Sequence, residues 1–132
     1  MRNTGKDRYR DGQRIVHMVQ ALVRIQQETA ETSRDKLFFD DRLTRAIILD
    51  FIVLGEAANN VSDEYCKAHA EIPWADVAAF RHKLVHDYAG IDFGILWEAM
   101  THDVPLLLPL FNKLVAELPI EPPMPDNLNE FM

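Results

Sequence analysis

Apolar side chains recur at helical spacing along most of this chain. The pattern covers four segments, which are residues 13–32, residues 42–68, a shorter one from Pro73 to about His86, and residues 93–117. Spacings of three and four residues place such side chains on one face of an α-helix. No apolar/polar alternation is long enough to predict a strand. The pattern therefore predicts an all-α protein, a four-helix bundle in which successive helices run up and down.

Residues with known end preferences mark the limits of these helices. Asp40 or Asp41 is a candidate N-cap for the second helix and Asp92 for the fourth, because a short carboxylate accepts a hydrogen bond from an unpaired backbone N–H. Gly90 follows the third helix and predicts a left-handed stop there. The helix ends are thus expected near residues 41, 86 and 93.

Prolines shape the C-terminal part of the chain. Pro105 and Pro109 should kink or interrupt the fourth helix, because proline lacks the N–H that a helix interior needs. Residues 119–132 contain four prolines, and all of their charged side chains are acidic. We therefore expect one helical domain over residues 1–118 and a Pro-rich acidic tail over residues 119–132.

Composition limits the classes of function. The net charge of −7 over 132 residues argues against a protein that coats nucleic acid nonspecifically, since that binding depends on neutralising phosphates. Residues 1–14 are nonetheless basic, and they could help an RNA or an acidic partner to dock. The single cysteine, Cys66, is expected to pack half-buried, and with no apolar N-terminal segment visible we expect a cytoplasmic protein without membrane attachment.

The richest chemistry lies in Arg81-His-Lys-Leu-Val-His-Asp-Tyr88. Arg81 carries a permanent charge that can fork onto two phosphate oxygens. His86 titrates near neutrality and can transfer protons, and Tyr88 adds a phenol. This combination is typical of phosphodiester chemistry. A surface ion pair of Arg81 with Glu56 or Asp87 is the simpler alternative.

Four flanking segments accompany this motif in order: Asp41-Arg-Leu-Thr, Gly55-Glu-Ala-Ala, Glu71-Ile-Pro-Trp and Tyr88–Trp97. With the Arg-x4-His-x-Tyr core, they resemble the HepT-like branch of the HEPN superfamily over roughly residues 10–117. One difference is His82, since the family usually has Asn directly after the motif arginine.

The resemblance implies a HEPN-type bundle and a metal-independent endoribonuclease, the toxin of a toxin–antitoxin module, that needs no cofactor. Arg81 and His86 would be catalytic. Tyr88 would orient the substrate or be adenylylated by a minimal nucleotidyltransferase antitoxin. His82, Glu56 and Lys83 are possible supporting residues, with Glu56 placed to orient Arg81 or a histidine. The implied partners are an RNA substrate, the antitoxin and a second copy of the chain.

The spacing within the motif raises a geometric problem. Positions five apart on a straight helix diverge by about 140°, so Arg81 and His86 would point to different sides. Either the helix loosens near Gly90, or two copies of the motif form one site across a dimer, as the family resemblance implies. Surplus apolar residues support a dimer through the third and fourth helices; they include Phe38, Phe39, Ile48 and Leu110.

Other interpretations remain open from the sequence. His82 and His86 have the i, i+4 spacing of a metal-binding pair, but no third ligand follows at a suitable spacing. The chain could also be an inactive HEPN binding module that docks with a nucleotidyltransferase, because His82 replaces the usual Asn. A purely structural helical dimer is a third possibility.

Overall fold

The structure is a computed structural model that describes residues 5–84 and 90–118. Within these ranges the chain forms short and long helices and no strand. In order they are α1 (Gly5–Glu31), α2 (Arg34–Phe39), α3 (Asp41–Asn60), α4 (Asp63–Ala68), α5 (Trp74–Ala79), α6 (Arg81–Leu84), α7 (Phe93–Glu98), a π-helical segment (Ala99–Asp103) and α8 (Val104–Ala116). The predicted all-α fold is confirmed.

The long helices form a bundle. Helix α1 packs along both α3 and α8, and α3 packs along α5. The Trp74 and Phe111 rings, 5.8 Å apart, join α5 to α8 and close the fourth side. The bundle is thus built from α1, α3, the pair α5 and α6, and α7 with α8.

The buried face of each helix follows from its apolar spacing. Seven of the largest side chains that are fully buried come from α1, α3 and α8: Ile15, Met18, Leu22, Ile25, Ile47, Phe111 and Leu114. Burying an aliphatic or aromatic side chain of this size contributes about 1.5–3 kcal/mol. The core therefore lies along the bundle axis, and the helix faces away from it remain available for a site.

Two sequence predictions about the second helix need correction. The expected single helix over residues 42–68 is two helices, because Val61 and Ser62 are non-helical and the Ser62 hydroxyl caps α4 at Tyr65 N. Residues 37–39 lie between the first two predicted helices, yet they belong to the short helix α2. Of the two candidate caps, Asp40 is the one that accepts a hydrogen bond, from Leu43 N at 3.0 Å.

The last long helical segment is interrupted, as its prolines predict. The N–H of Val104 donates to the carbonyl of Ala99, an i to i+5 bond that widens the helix one turn before Pro105. Pro105 then sits in the first turn of α8, where its missing N–H costs little. Pro109 lies inside α8 without ending it.

Some large apolar side chains stay in contact with solvent; among the described residues they are Val16, Phe38, Phe39, Leu49 and Leu106. Ile48 and Leu110, also expected to be surplus, are half-buried against the core. No described helix has the length and apolar character that crossing a membrane requires. The domain boundary at residue 118 coincides with the end of the described residues and stays a prediction.

Candidate functional site

The site begins with a close contact between α3 and α5. A Cβ atom at Gly55 would lie 3.3 Å from the carbonyl oxygens of both Val77 and Ala78, tighter than most side chains tolerate. Glycine therefore lets the two backbones approach one another. Because Glu56 follows Gly55 directly, the same contact brings its carboxylate toward the helix that comes after α5.

Arg81 and Glu56 meet across this junction. Arg81 Nη1 donates a hydrogen bond to Glu56 Oε1 at 3.1 Å, and the two side chains are 47% and 55% exposed. A pair this exposed adds at most about 1 kcal/mol to stability. Its main effect is to fix the position of the Arg81 side chain. The carboxylate accepts a hydrogen bond from one edge of the guanidinium, a group that carries five N–H donors in all.

Helix α6 has one anchored side and one open side. Phe80, just before it, packs its ring 5.1 Å from that of Phe51, and Leu84 is buried. These two anchors are four residues apart, so the three residues between them, Arg81, His82 and Lys83, are left exposed. All three side chains between the two anchors are therefore exposed to solvent.

Leu84, the last residue of α6, and Asp92, which directly precedes α7, lie next to one another. The N–H of Asp92 donates to the carbonyl of Leu84 at 2.9 Å, and the Asp92 carboxylate caps α7 by accepting from Ile95 N at 3.0 Å. Gly90 has a φ of +107°, the left-handed conformation that the sequence predicts for it. The two motif residues between these anchors, His86 and Tyr88, lie outside the described residues, as does Asp87.

The structure thus brings together some of the predicted site residues. Arg81 and Glu56 are hydrogen-bonded, which is the ion pair that the simpler interpretation of Arg81 also predicts. His82 and Lys83 share the exposed side of α6. Within residues 5–84 and 90–118, no three His, Cys, Asp or Glu side chains are grouped closely enough to hold a metal ion.

An apolar groove of about 400 Å³ lies beside α6. Phe51, Val77 and Phe80 form part of one wall, and Leu106 and Leu110 of α8 part of the other. Three charged residues, Asp76, Lys83 and Asp103, also line it. The groove opens between the third and fourth helical layers, where the sequence predicts a dimer contact.

Sequence reasoning missed a polar cluster at the far end of α1. Asp11 is 2% exposed and accepts hydrogen bonds from the N–H and the hydroxyl of Ser62, at 2.9 and 2.6 Å. Asp11 lies four residues before Ile15, on the buried face of α1, and this spacing could have predicted that Asp11 is buried. The contact ties the N-terminal part of α1 to the break between α3 and α4.

Two titratable groups lie near this cluster. Burial, with the nearby carboxylates of Glu117 and Asp11, raises the pKa of Tyr65 to about 12. Burial also raises the pKa of the Cys66 thiol, which is half-buried as predicted. A raised pKa reduces the thiolate fraction and therefore the reactivity, so this cluster supports the fold and offers no nucleophile.

Comparisons with known proteins agree with the motif. The family model described as Ribonuclease HepT-like matches residues 18–114. A probable ribonuclease HepT of Thermococcus cleftensis is 33% identical over 97 residues, which cover 74% of this chain and 88% of that protein. A protein of Caldanaerobacter subterraneus subsp. tengcongensis, provisionally named an RNase, is 31% identical over 70% of this chain and 83% of its own length. The comparison with solved structures gave no match.

Proposed function

Because the chain belongs to the ribonuclease HepT-like family, we propose that it is an endoribonuclease that cleaves RNA without a metal ion, with Arg81 and His86 as catalytic residues. The observation that carries the proposal is the Arg81–Glu56 hydrogen bond of 3.1 Å on an exposed helix side. An arginine held at one edge and open to solvent is suited to bind a phosphate. His82 and Lys83 are exposed as well, but adjacent residues of a helix point in different directions.

The proposed reaction uses the RNA's own 2′-hydroxyl. His86 accepts the 2′-OH proton, the 2′ oxygen bonds to phosphorus, and the bond from phosphorus to the 5′ oxygen breaks as that oxygen receives a proton from protonated His86, which returns the imidazole to its starting state. Arg81 stabilises the charge on the phosphorane, which commonly contributes about 3–4 kcal/mol per donor. The products are a 2′,3′-cyclic phosphate and a 5′-hydroxyl, and no metal or cofactor enters the proton balance.

Cleavage in EDTA tests this reaction. The protein should cut a single-stranded RNA and leave 2′,3′-cyclic ends, and Arg81→Ala and His86→Ala should each lower the rate at least a hundredfold. Arg24→Ala is the matched control, because Arg24 is 50% exposed and pairs with Asp50 at 2.9 Å, away from the motif. Activity that survives both motif substitutions, or that EDTA abolishes, would overturn the proposal.

We also propose a homodimer through the apolar groove. The groove and the exposed Leu106 give α5, α6 and α8 an apolar surface that a second copy would cover. A dimer could also bring Arg81 of one copy close to His86 of the other, although helical positions five apart diverge by about 140° within one copy. Light scattering should show a dimer at micromolar concentration and a monomer for Leu106→Glu, whereas Val16→Glu on α1 should remain dimeric. A wild-type monomer would contradict the proposal.

A further part of the proposal is control by a nucleotidyltransferase antitoxin that adenylylates Tyr88, which makes the chain the toxin of the module. The family resemblance supports this step. Each AMP adds negative charge beside the arginine that binds substrate phosphate, so modification would block RNA through charge and bulk. After coexpression with the antitoxin, the intact mass should rise by about 329 Da per AMP and the adduct should map to Tyr88. Adducts elsewhere, or silencing of Tyr88→Phe by the antitoxin, would refute it.

An inactive binding module is the second candidate, and the observation that favours it is His82 on the exposed side of α6 next to Arg81. Under this alternative the purified wild type binds its nucleotidyltransferase but leaves RNA intact. His82→Asn restores the residue that the family usually has. Cleavage by His82→Asn but not by the wild type would establish the binding module, whereas equal cleavage by both would exclude it.

A further inference from the structure

Three aromatic rings form a continuous row from α7 to the surface of α2. Phe93, in the first turn of α7, packs against Phe38 with ring centroids 4.9 Å apart. Phe38 in turn packs edge to face with Phe39, at 5.1 Å and 84°. Exposure rises along the row, from half-buried Phe93 to 57% for Phe38 and 84% for Phe39. Phe39 thus presents nearly a whole aromatic ring to solvent.

The row is held rigidly. Ser33 caps α2 by accepting a hydrogen bond from Lys36 N at 3.2 Å. Leu37 is buried, and its carbonyl accepts a hydrogen bond from the buried Thr44 hydroxyl at 2.8 Å. Exposed phenylalanines on a fixed helix lose little conformational freedom when a ligand binds, so they form a preorganised surface.

The row lies next to the chain segment that carries the motif. Phe93 directly follows Asp92, whose N–H is bonded to the carbonyl of Leu84 at the end of α6. The row of rings therefore begins beside the end of α6. Measured along α3, from Asp41 beside Phe39 to Glu56 beside Arg81, the separation is about 22 Å at 1.5 Å per residue.

Charge differs between the two sides of the rings. On the α7 side, the place where a Cβ of Gly94 would be lies 4.0 Å from a guanidinium nitrogen of Arg34 and 3.3 Å from a carboxylate oxygen of Asp92, the cap of α7. Arg34 shares a helix face with Phe38 four residues later. On the other side, Phe39 borders an open depression that Lys36 and Arg42 line together with Glu28, Glu31, Asp40 and Asp41. Acidic residues outnumber basic ones in the depression, so a polyanion is favoured more on the Arg34 side, which is also the side nearer α6.

We propose that Arg34, Phe38 and Phe39 form an RNA-binding subsite, in which an unpaired base of the substrate stacks on Phe39 and Arg34 contacts the adjoining phosphate. Aromatic side chains exposed beside a cation are a common way to hold single-stranded RNA without reading its sequence. The inference rests on the proposed ribonuclease function and extends it, since the subsite would hold RNA several nucleotides away from the bond that is cut.

Binding of an RNA that cannot be cleaved tests the subsite separately from catalysis. A fluorescent single-stranded oligonucleotide with 2′-O-methyl groups should bind Phe39→Ala and Phe39→Leu about tenfold more weakly than the wild type, as expected for the loss of one stacking partner. Phe39→Trp should bind within about threefold of the wild type, because it keeps an aromatic face. Arg34→Ala should lower the slope of log Kd against log salt by about 0.7, and the control Arg24→Ala should leave it unchanged.

Cleavage then separates the subsite from the active site. Phe39→Ala should raise KM for a long single-stranded RNA about tenfold with little change in kcat, and it should leave cleavage of a dinucleotide unaffected because that substrate cannot span the distance. If the wild type binds RNA through Phe39 but cleaves nothing, the ribonuclease function fails and the subsite stands. Wild-type affinity in Phe39→Leu would overturn the subsite. So would a Phe39→Ala protein that loses its dimer in sedimentation without weaker RNA binding, since the rings would then contact a second copy.

Discussion

Replacing Glu56 by alanine should reduce catalysis while leaving the fold almost unchanged. Glu56 is 55% exposed, and within residues 5–84 and 90–118 its carboxylate makes one hydrogen bond, of 3.1 Å to Arg81. The hydrogen bond from the Asn60 amide goes to the backbone carbonyl of Glu56, so the substitution leaves that bond intact. The perturbation is therefore confined to the partner that holds Arg81.

The expected magnitudes of the two effects differ. Loss of an exposed ion pair costs about 0.2–1 kcal/mol, and the better helix propensity of alanine offsets part of it. The guanidinium, released at one edge, would spend less time in the geometry that stabilises the phosphorane. A tenfold fall in kcat corresponds to about 1.4 kcal/mol in the barrier, and displacement of about 1 Å can cost more. KM should stay level or fall, because a negative charge near the RNA is removed.

Urea denaturation and steady-state cleavage of one RNA check both effects. Glu56→Gln should recover most of kcat, since its amide oxygen can still accept the Arg81 hydrogen bond. Arg24→Ala serves as the control, because it also removes one partner of a surface ion pair, with Asp50 at 2.9 Å, away from α6. Unchanged kcat in Glu56→Ala would show that the carboxylate does not position Arg81. A loss of stability well above 1 kcal/mol would show that its role is structural.

Three further predictions concern the fold around the site. Gly55→Val should destabilise the protein by about 1–3 kcal/mol through overpacking, measured by urea denaturation, because even a Cβ would lie 3.3 Å from two carbonyl oxygens of α5; unchanged stability would mean that α5 can shift. Asp11→Ala should cost about 3–6 kcal/mol by the same assay, since charged acceptors contribute about 1.5–3 kcal/mol per bond and Asp11 accepts two from Ser62; Asp11→Asn should recover part of it. In a titration of absorbance at 295 nm, one tyrosine should ionise near pH 12, the pKa of Tyr65, and that step should vanish in Tyr65→Phe. Because this folded pKa lies above the ordinary value of 10, the contribution of Tyr65 to stability is complete below pH 10 and is lost as the pH rises toward 12.

Much of the local structure could be predicted because it depends on neighbours along the chain. Helical spacing identified the four layers, and the caps Asp40 and Asp92 act within three residues of themselves. The left-handed Gly90 belongs to the same class of local effect. The break at Ser62 escaped notice because apolar residues keep helical spacing across it, and spacing does not register a two-residue interruption.

The family resemblance named the candidate residues before their geometry was known. It singled out Arg81, and also Glu56 as a possible partner for it. From the sequence, however, Asp87 was an equally good partner. Asp87 lies outside the described residues. The contact with Glu56 depends on how closely α3 and α5 approach, and that distance is set where Gly55 meets the carbonyl oxygens of residues 77 and 78.

The sequence by itself determined the helical class, several helix ends and the residue types of the motif, because periodicity and capping are properties of short stretches of chain. Tertiary structure alone decided which of those residues meet. The Arg81–Glu56 bond spans 25 residues and the Asp11–Ser62 bond spans 51, and the row from Phe93 to Phe39 joins helices from opposite halves of the chain. Contacts at such separations result from how the helices pack around a shared core, and no local pattern records that packing.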